Sequence, residues 1–165
     1  MNFRPFILVA FIILASCSNK EYHDHDVEFL CPDDWSITED GDMAGDARYI
    51  IIESDPPNMS GVILLYWFEK GTSEEMALEL AIERDNSTDG TKLVYSDLKL
   101  EKLNKHQART QTYKGLLAGH KTKGKNWAFS TDARTYCIMT YCAAEDDQKS
   151  QTGFRSFLKS FNPKK

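Results

Sequence analysis

No stretch of this sequence is apolar for long enough to cross a bilayer. The longest apolar run, Phe6 to Ala15, covers ten of 165 residues, where a membrane-spanning helix needs about 20. Catalytic signatures are equally scarce. There is no G-x-S-x-G and no H-E-x-x-H, so neither a nucleophile elbow nor a paired-histidine zinc site is signalled. No G-x-x-x-x-G-K-[ST] or G-x-G-x-x-G offers a phosphate cradle. C-x-x-C is missing, and with it thioredoxin-type redox chemistry. Two S-x-x-K matches, Ser96 with Lys99 and Ser156 with Lys159, lack the companion motifs of penicillin-recognising enzymes and read as chance. His106 and His120 fall in basic segments without an obvious acidic partner and read as surface residues; the alternative of an envelope hydrolase would require one of them to meet a Ser or Cys in a cleft. A net charge of −5 is modest and has the wrong sign for general nucleic-acid binding. These absences predict a protein that is not an enzyme, carries no cofactor and has no nucleic-acid partner.

What is present begins with an amino-terminal address. Arg4, the ten-residue apolar run and the small residues Ala15 and Ser16 form the pattern of a secretory signal. Leu14-Ala15-Ser16-Cys17 resembles the lipobox of bacterial lipoproteins. That resemblance implies cleavage before Cys17, a diacylglycerol on its sulfur and acylation of the new amino terminus. Cys is required there because its sulfur is the nucleophile that becomes a thioether. Two or more acyl chains turn marginal membrane binding into stable anchoring. Ser18 and Asn19 place no acid beside the cysteine, which resembles a lipoprotein sent to the outer membrane. The expected organisation is a signal peptide over 1–16, a lipidated tether over 17–26 and one domain over 27–165. The "SNKEYHDHD" tether has no apolar periodicity and could span at most about 30 Å.

An apolar share of 41% and a charged share of 27% fit a packed globular core. "VEFLCPDDWSI" reads as strand, turn and strand, and "ARYIIIES" and "GVILLYWFEK" as two strands covered on both faces. Thr72 with Glu75 fits a capping box opening a helix on which Met76, Ala77, Leu80, Ala81 and Ile82 recur to about Asp85. Residues 92–143 read as antiparallel strands with turns at Asn104-Lys105, Lys123-Gly124 and Thr131-Asp132. "DDQKSQTGFRSFLKSF" is a terminal helix with Phe154, Phe157, Leu158 and Phe161 on one side, although Gly153 weakens it by about 1 kcal/mol. Grouped strands with two principal helices give an α+β class with a mainly antiparallel sheet.

The "P-x-x-W" of "FLCPDDWSI" and the Ser160-Phe161 close of "GFRSFLKSF" resemble the opening and final helix of PsbP-like and DcrB-like domains, in the superfamily of the Mog proteins. The similarity covers about Val27 to Asn162. It implies an αβα sandwich used for binding or assembly and brings no catalytic residues. Trp35 itself reads as the apolar plug of the opening turn, packed in the core.

Three cysteines remain after Cys17. Cys137 and Cys142 are five apart on one strand, so they sit roughly 17 Å apart on opposite faces, beyond the reach of about 7 Å that a disulfide allows. Either Cys31 bridges to Cys137 or Cys142, worth about 4.7 kcal/mol in the chain-entropy account, or all three are buried thiols, with a catalytic thiol as the third alternative. His23 and His25 would share one side of an extended chain and could both face a Zn²⁺ or Cu²⁺, but two ligands are not a site. They are weak metal candidates, and the bland alternative is a solvated acidic linker. Charge is uneven: residues 21–55 hold twelve acids against Arg48 alone, whereas residues 102–125 hold Lys102, Lys105, Arg109, Lys114, Lys121, Lys123 and Lys125 with no acid. The functional expectation is a partner surface of Lys121, Lys123, Lys125 and Trp127 that meets an anionic headgroup or an acidic envelope protein; the bland alternative is that the two charged segments face each other across the fold or are simply solvated.

Overall fold

A computed structural model describes residues 21–43, 47–56 and 61–164 of the chain. Cys17 and the whole signal segment lie outside the described residues. The elements run β1 (Glu21–Asp24), β2 (Val27–Leu30), β3 (Trp35–Asp42), β4 (Arg48–Ser54), β5 (Gly61–Phe68), α1 (Glu74–Asn86), β6 (Lys92–Tyr95), β7 (Lys99–Leu103), β8 (His106–Leu117), β9 (His120–Ser130), β10 (Thr135–Ala143), α2 (Asp147–Ser160) and β11 (Asn162–Pro163). An eight-stranded antiparallel sheet has the order β3-β4-β5-β10-β9-β8-β6, with β7 pairing β8 ahead of β6. A small sheet of β1, β2 and β11 lies beside α2. The α+β class and the mainly antiparallel sheet expected from the sequence are both present.

Alternation along β5 and β10 builds the layers. Leu64, Tyr66, Phe68, Cys137 and Met139 face Ala77, Leu78 and Ala81 of α1. Ile63, Leu65, Trp67, Tyr136 and Ile138 face the other way and meet Phe154 and Phe157 of α2 and Phe161 just past its end, with Val27 and Phe29 of β2. Both faces of the two central strands are dry, which explains their unbroken apolar runs. The aromatic stripe expected on the last helix is the one that packs.

Four local expectations change. Residues 21–24, expected in the tether, form β1: His25 (φ 47°) and Asp26 (φ 68°) make a two-residue turn, Tyr22 stacks on Phe29 at 4.8 Å, and its hydroxyl donates to Asp40 at 2.8 Å. The cap of α1 is Ser73 rather than Thr72, its Oγ accepting the Met76 N–H at 3.1 Å. Met76 and Leu80 are exposed, because the helix lies on the sheet through Ala77, Leu78 and Ala81. The β8–β9 turn falls at Ala118 (φ 50°) and Gly119 (φ 82°), a two-residue hairpin loop. Lys123-Gly124 is therefore the middle of a strand, and Gly124 is there for another reason: a β-carbon on it would meet the Thr140 carbonyl and the Tyr113 ring.

The Asn104-Lys105 turn does form, and it reaches further than its own hairpin. Asn104 (φ 53°) donates from Nδ2 to the carbonyls of Leu158 at 2.8 Å and Phe161 at 3.1 Å, closing the end of α2. Asn104→Ala is expected to cost about 1–3 kcal/mol by urea unfolding, since it strands two carbonyls and strains a left-handed residue. Asn104→Gly relieves the backbone alone and should fall between the two. Parity between the alanine variant and the parent would remove the cap from this account.

Candidate functional site: a basic cleft beside the last helix

β9 sends alternate residues to opposite faces, so Lys121, Lys123, Lys125 and Trp127 share the α2 side. Pairing to β8 and β10 places Lys123 between Lys114 and Cys142, and Lys125 between Thr112 and Thr140. α2 runs past this surface with Gln151, Phe154, Arg155 and Leu158, and β6 adds Val94 and Tyr95. Together they enclose a cleft of about 760 Å³ with an apolar floor.

Lysines and two carboxylates organise the rim. Lys123 Nζ lies 2.7 Å from Asp147 Oδ2, and Gln151 Nε2 donates to the other Asp147 oxygen at 2.9 Å. These bonds hold the Asp147 carboxyl below its ordinary range. Lys125 Nζ lies 2.6 Å from Glu101 Oε2 and 5.2 Å from the centre of the Trp127 ring, and it lowers Glu101 in the same way. Lys114 and Arg155 have no carboxylate partner among the described residues. The cleft can therefore attract an anion at its rim and an apolar group at its floor.

Of the four residues expected to form a partner surface, Lys123, Lys125 and Trp127 line this cleft, and Lys121 lies on the same strand face beyond its edge. Reading the sequence missed the opposite walls. Lys114 belonged to the basic block, but Val94, Tyr95 and Arg155 come from segments far away in the chain and carry no local signal. The rest of the basic block disperses: Arg109 lies 3.3 Å from Glu74 and 2.8 Å from Glu75 on the α1 side, and Lys105 donates to Asn162 at 3.3 Å.

The other candidates come apart. Cys137 sits on the α1 face of β10 and Cys31 packs against the α2-side core, so the sheet stands between them. The Cys31 thiol donates to the Trp35 carbonyl at 3.2 Å, and Cys137 and Cys142 are free thiols, so the bridge considered from Cys31 is not present. Burial, and next the Asp147 charge, raise Cys142 above an ordinary thiol, which keeps it protonated and unreactive at neutral pH. His23 lies 3.1 Å from Glu21, and His25, in the hairpin turn, 3.2 Å from Asp24. The turn breaks the extended geometry that would have put both rings on one side. Among the described residues no group of three or more His, Cys, Asp or Glu is placed to hold a metal ion. His106 is not a free surface group: it stacks on Phe129 at 4.5 Å, and burial and Lys105 lower its pKa. His120 lines a second cleft of about 550 Å³ under α1, with Asp85 and Tyr141.

Comparison with solved structures decides the fold. The cyanobacterial PsbP protein, CyanoP, of Synechocystis matches with a TM-score of 0.61 at 14% identity over 91% of this chain and 98% of its own. The fold is PsbP-like. LpqN of Mycobacterium tuberculosis, described as involved in cell envelope biogenesis, matches with a TM-score of 0.54 at 12% identity over 84% of this chain and 83% of its own. A Bacteroides thetaiotaomicron protein matches with a TM-score of 0.58 at 13% identity over 85% of this chain. The PsbP-like chain spans only 46% of that protein's length. No family model matches the chain, and no curated protein does. Within this PsbP-like domain the basic cleft lies between the terminal helix and the β6–β8–β9 end of the sheet.

Proposed function

We propose that this PsbP-like domain is a non-catalytic binding module of the bacterial envelope, held to the outer membrane by lipid on Cys17, with the basic cleft as its contact surface for an envelope protein. The observation that carries the reading is the cleft itself: an apolar floor in a rim with more cations than carboxylates suits recognition of an acidic partner. The Leu14-Ala15-Ser16-Cys17 pattern supports the anchor. Fold likeness to LpqN, a protein described as involved in cell envelope biogenesis, supports the compartment. No helix among the described residues is long and apolar enough to cross a membrane, so attachment through acyl chains fits the described part of the chain.

A pull-down tests the module. The chain from Ser18 onward, tethered by its amino end, is exposed to detergent-solubilised envelope of its own host beside a variant with Lys121, Lys123 and Lys125 changed to Glu. The parent is expected to retain a stoichiometric protein that the variant loses. Equal retention by both would move the contact surface elsewhere, and retention of nothing by either would remove the protein-partner reading. The anchor has its own readout: Cys17→Ser is expected to abolish incorporation of labelled palmitate and shift the protein from the membrane fraction.

A further inference from the structure

We propose that the cleft binds a single-chain anionic amphiphile, the hydrocarbon chain lying on the floor and the charged head among the rim cations. This deepens the binding-module reading and rests on it for the choice of surface, adding the chemistry of what enters.

Size is the first reason. A volume of about 760 Å³ falls within the roughly 300–1,000 Å³ of small-ligand sites. The lining is the second reason. Val94, Trp127, Phe154 and Leu158 supply apolar and aromatic lining, and Val94, 68% exposed, is left uncovered at its outer end. That shape suits a flexible chain better than a compact polar solute. Charge is the third reason. Lys114, Lys123, Lys125 and Arg155 line the cleft, and among the described residues Asp147 is the single lining carboxylate. Asp147 is already bridged to Lys123, and Lys125 to Glu101. Lys114 and Arg155 supply the uncompensated charge. A neutral ligand closing over them would desolvate that charge without an offsetting partner, and a cationic one would add repulsion.

Three probes with one chain length separate these contributions: laurate, monolauroylglycerol and dodecylammonium, each below its aggregation concentration. They are titrated calorimetrically into the full chain carrying Cys17→Ser, which has no thiol to lipidate. Laurate is expected to bind saturably at one site, at least about tenfold more tightly than monolauroylglycerol, with dodecylammonium weakest. Its affinity should fall as salt rises. Lys114→Glu with Arg155→Glu, and separately Val94→Asp, should each weaken laurate by about tenfold or more while leaving the melting temperature unchanged, since all three side chains are exposed. Equal affinity for laurate and monolauroylglycerol, or no saturable laurate binding, overturns the proposal. Laurate binding without a retained protein in the pull-down sustains it while the protein-partner reading fails. A lysine-dependent protein partner without laurate binding does the reverse.

Discussion

Gly153→Ala is expected to destabilise the domain by about 1–3 kcal/mol, the opposite sign to the usual effect of replacing a mid-helix glycine. Inside a free-standing helix alanine would gain about 1 kcal/mol. Here the helix has a wall against it. A β-carbon on Gly153 would lie 2.6 Å from Cε2, Cζ2 and Nε1 of Trp35. The indole has no room to withdraw, because a β-carbon on Gly61, at the start of β5, would lie 2.5 Å from its Cη2. Phe154 also closes it edge-on, with ring centres 5.5 Å apart. Two glycines from distant segments thus form a slot for one indole, joining β3, β5 and α2. Gly61→Ala should cost a similar amount. Trp35→Leu empties part of the slot and loses up to about 3–5 kcal/mol of packing by itself, yet it should abolish the further penalty of Gly153→Ala. A double-mutant cycle read by urea unfolding measures that coupling. A neutral or stabilising Gly153→Ala, or additive effects in the double variant, would dismantle the slot.

That slot shows how much of the molecule was legible beforehand. Trp35 was readable as a core plug, because a tryptophan just after a Pro-Asp-Asp turn enters a sheet whose neighbours are apolar. Its seat was not. Gly153 looked like a flaw in a helix, and only contact with a residue 118 positions earlier in the chain turns it into a requirement. Gly124 misled in the same way. Beside a lysine in a polar stretch it had the composition of a turn, but the reversal came at Ala118-Gly119, where two consecutive residues take positive φ. Gly124 instead admits the Tyr113 ring. Strand and helix types survived because they depend on local periodicity, which α2 and β5 carry strongly. The cleft was half legible. A run of lysines at alternate positions with Trp127 two residues on identifies one wall, whereas Tyr95 and Arg155 join it only through sheet order and helix docking.

The same topology buries a carboxyl under the other helix, and its pH response is the second large effect. Asp85, near the end of α1, is only 7% exposed, and its Oδ2 has no hydrogen-bond partner among the described residues. Burial pushes it up to about 6, against the pull of the Arg84 guanidinium. Burial first, and the Asp85 charge second, also raise Tyr95, Tyr141 and Cys137, which share its surroundings. The folded value stands above the unfolded one near 3.8, so between about pH 4 and 6 the folded state holds the extra proton. Stability from this group is therefore present below pH 4 and is lost as pH rises through 6, by at most about 3 kcal/mol. Asp147 and Glu101 act in the opposite sense. Their depressed values, set by Lys123 and Lys125, contribute stability that is lost on acidification below about pH 4.5. Asp85→Asn keeps the shape and removes the charge. Its stability should match the parent near pH 4 and exceed it by about 1–3 kcal/mol at pH 7.5, a melting-temperature gap of roughly 3–10 °C. Urea unfolding of both proteins at pH 4, 5, 6 and 7.5 gives the difference curve, in which the titration of Asp147 and Glu101 cancels. Parallel curves across that range would mean that Asp85 ionises at an ordinary value and that water reaches the cleft beneath α1.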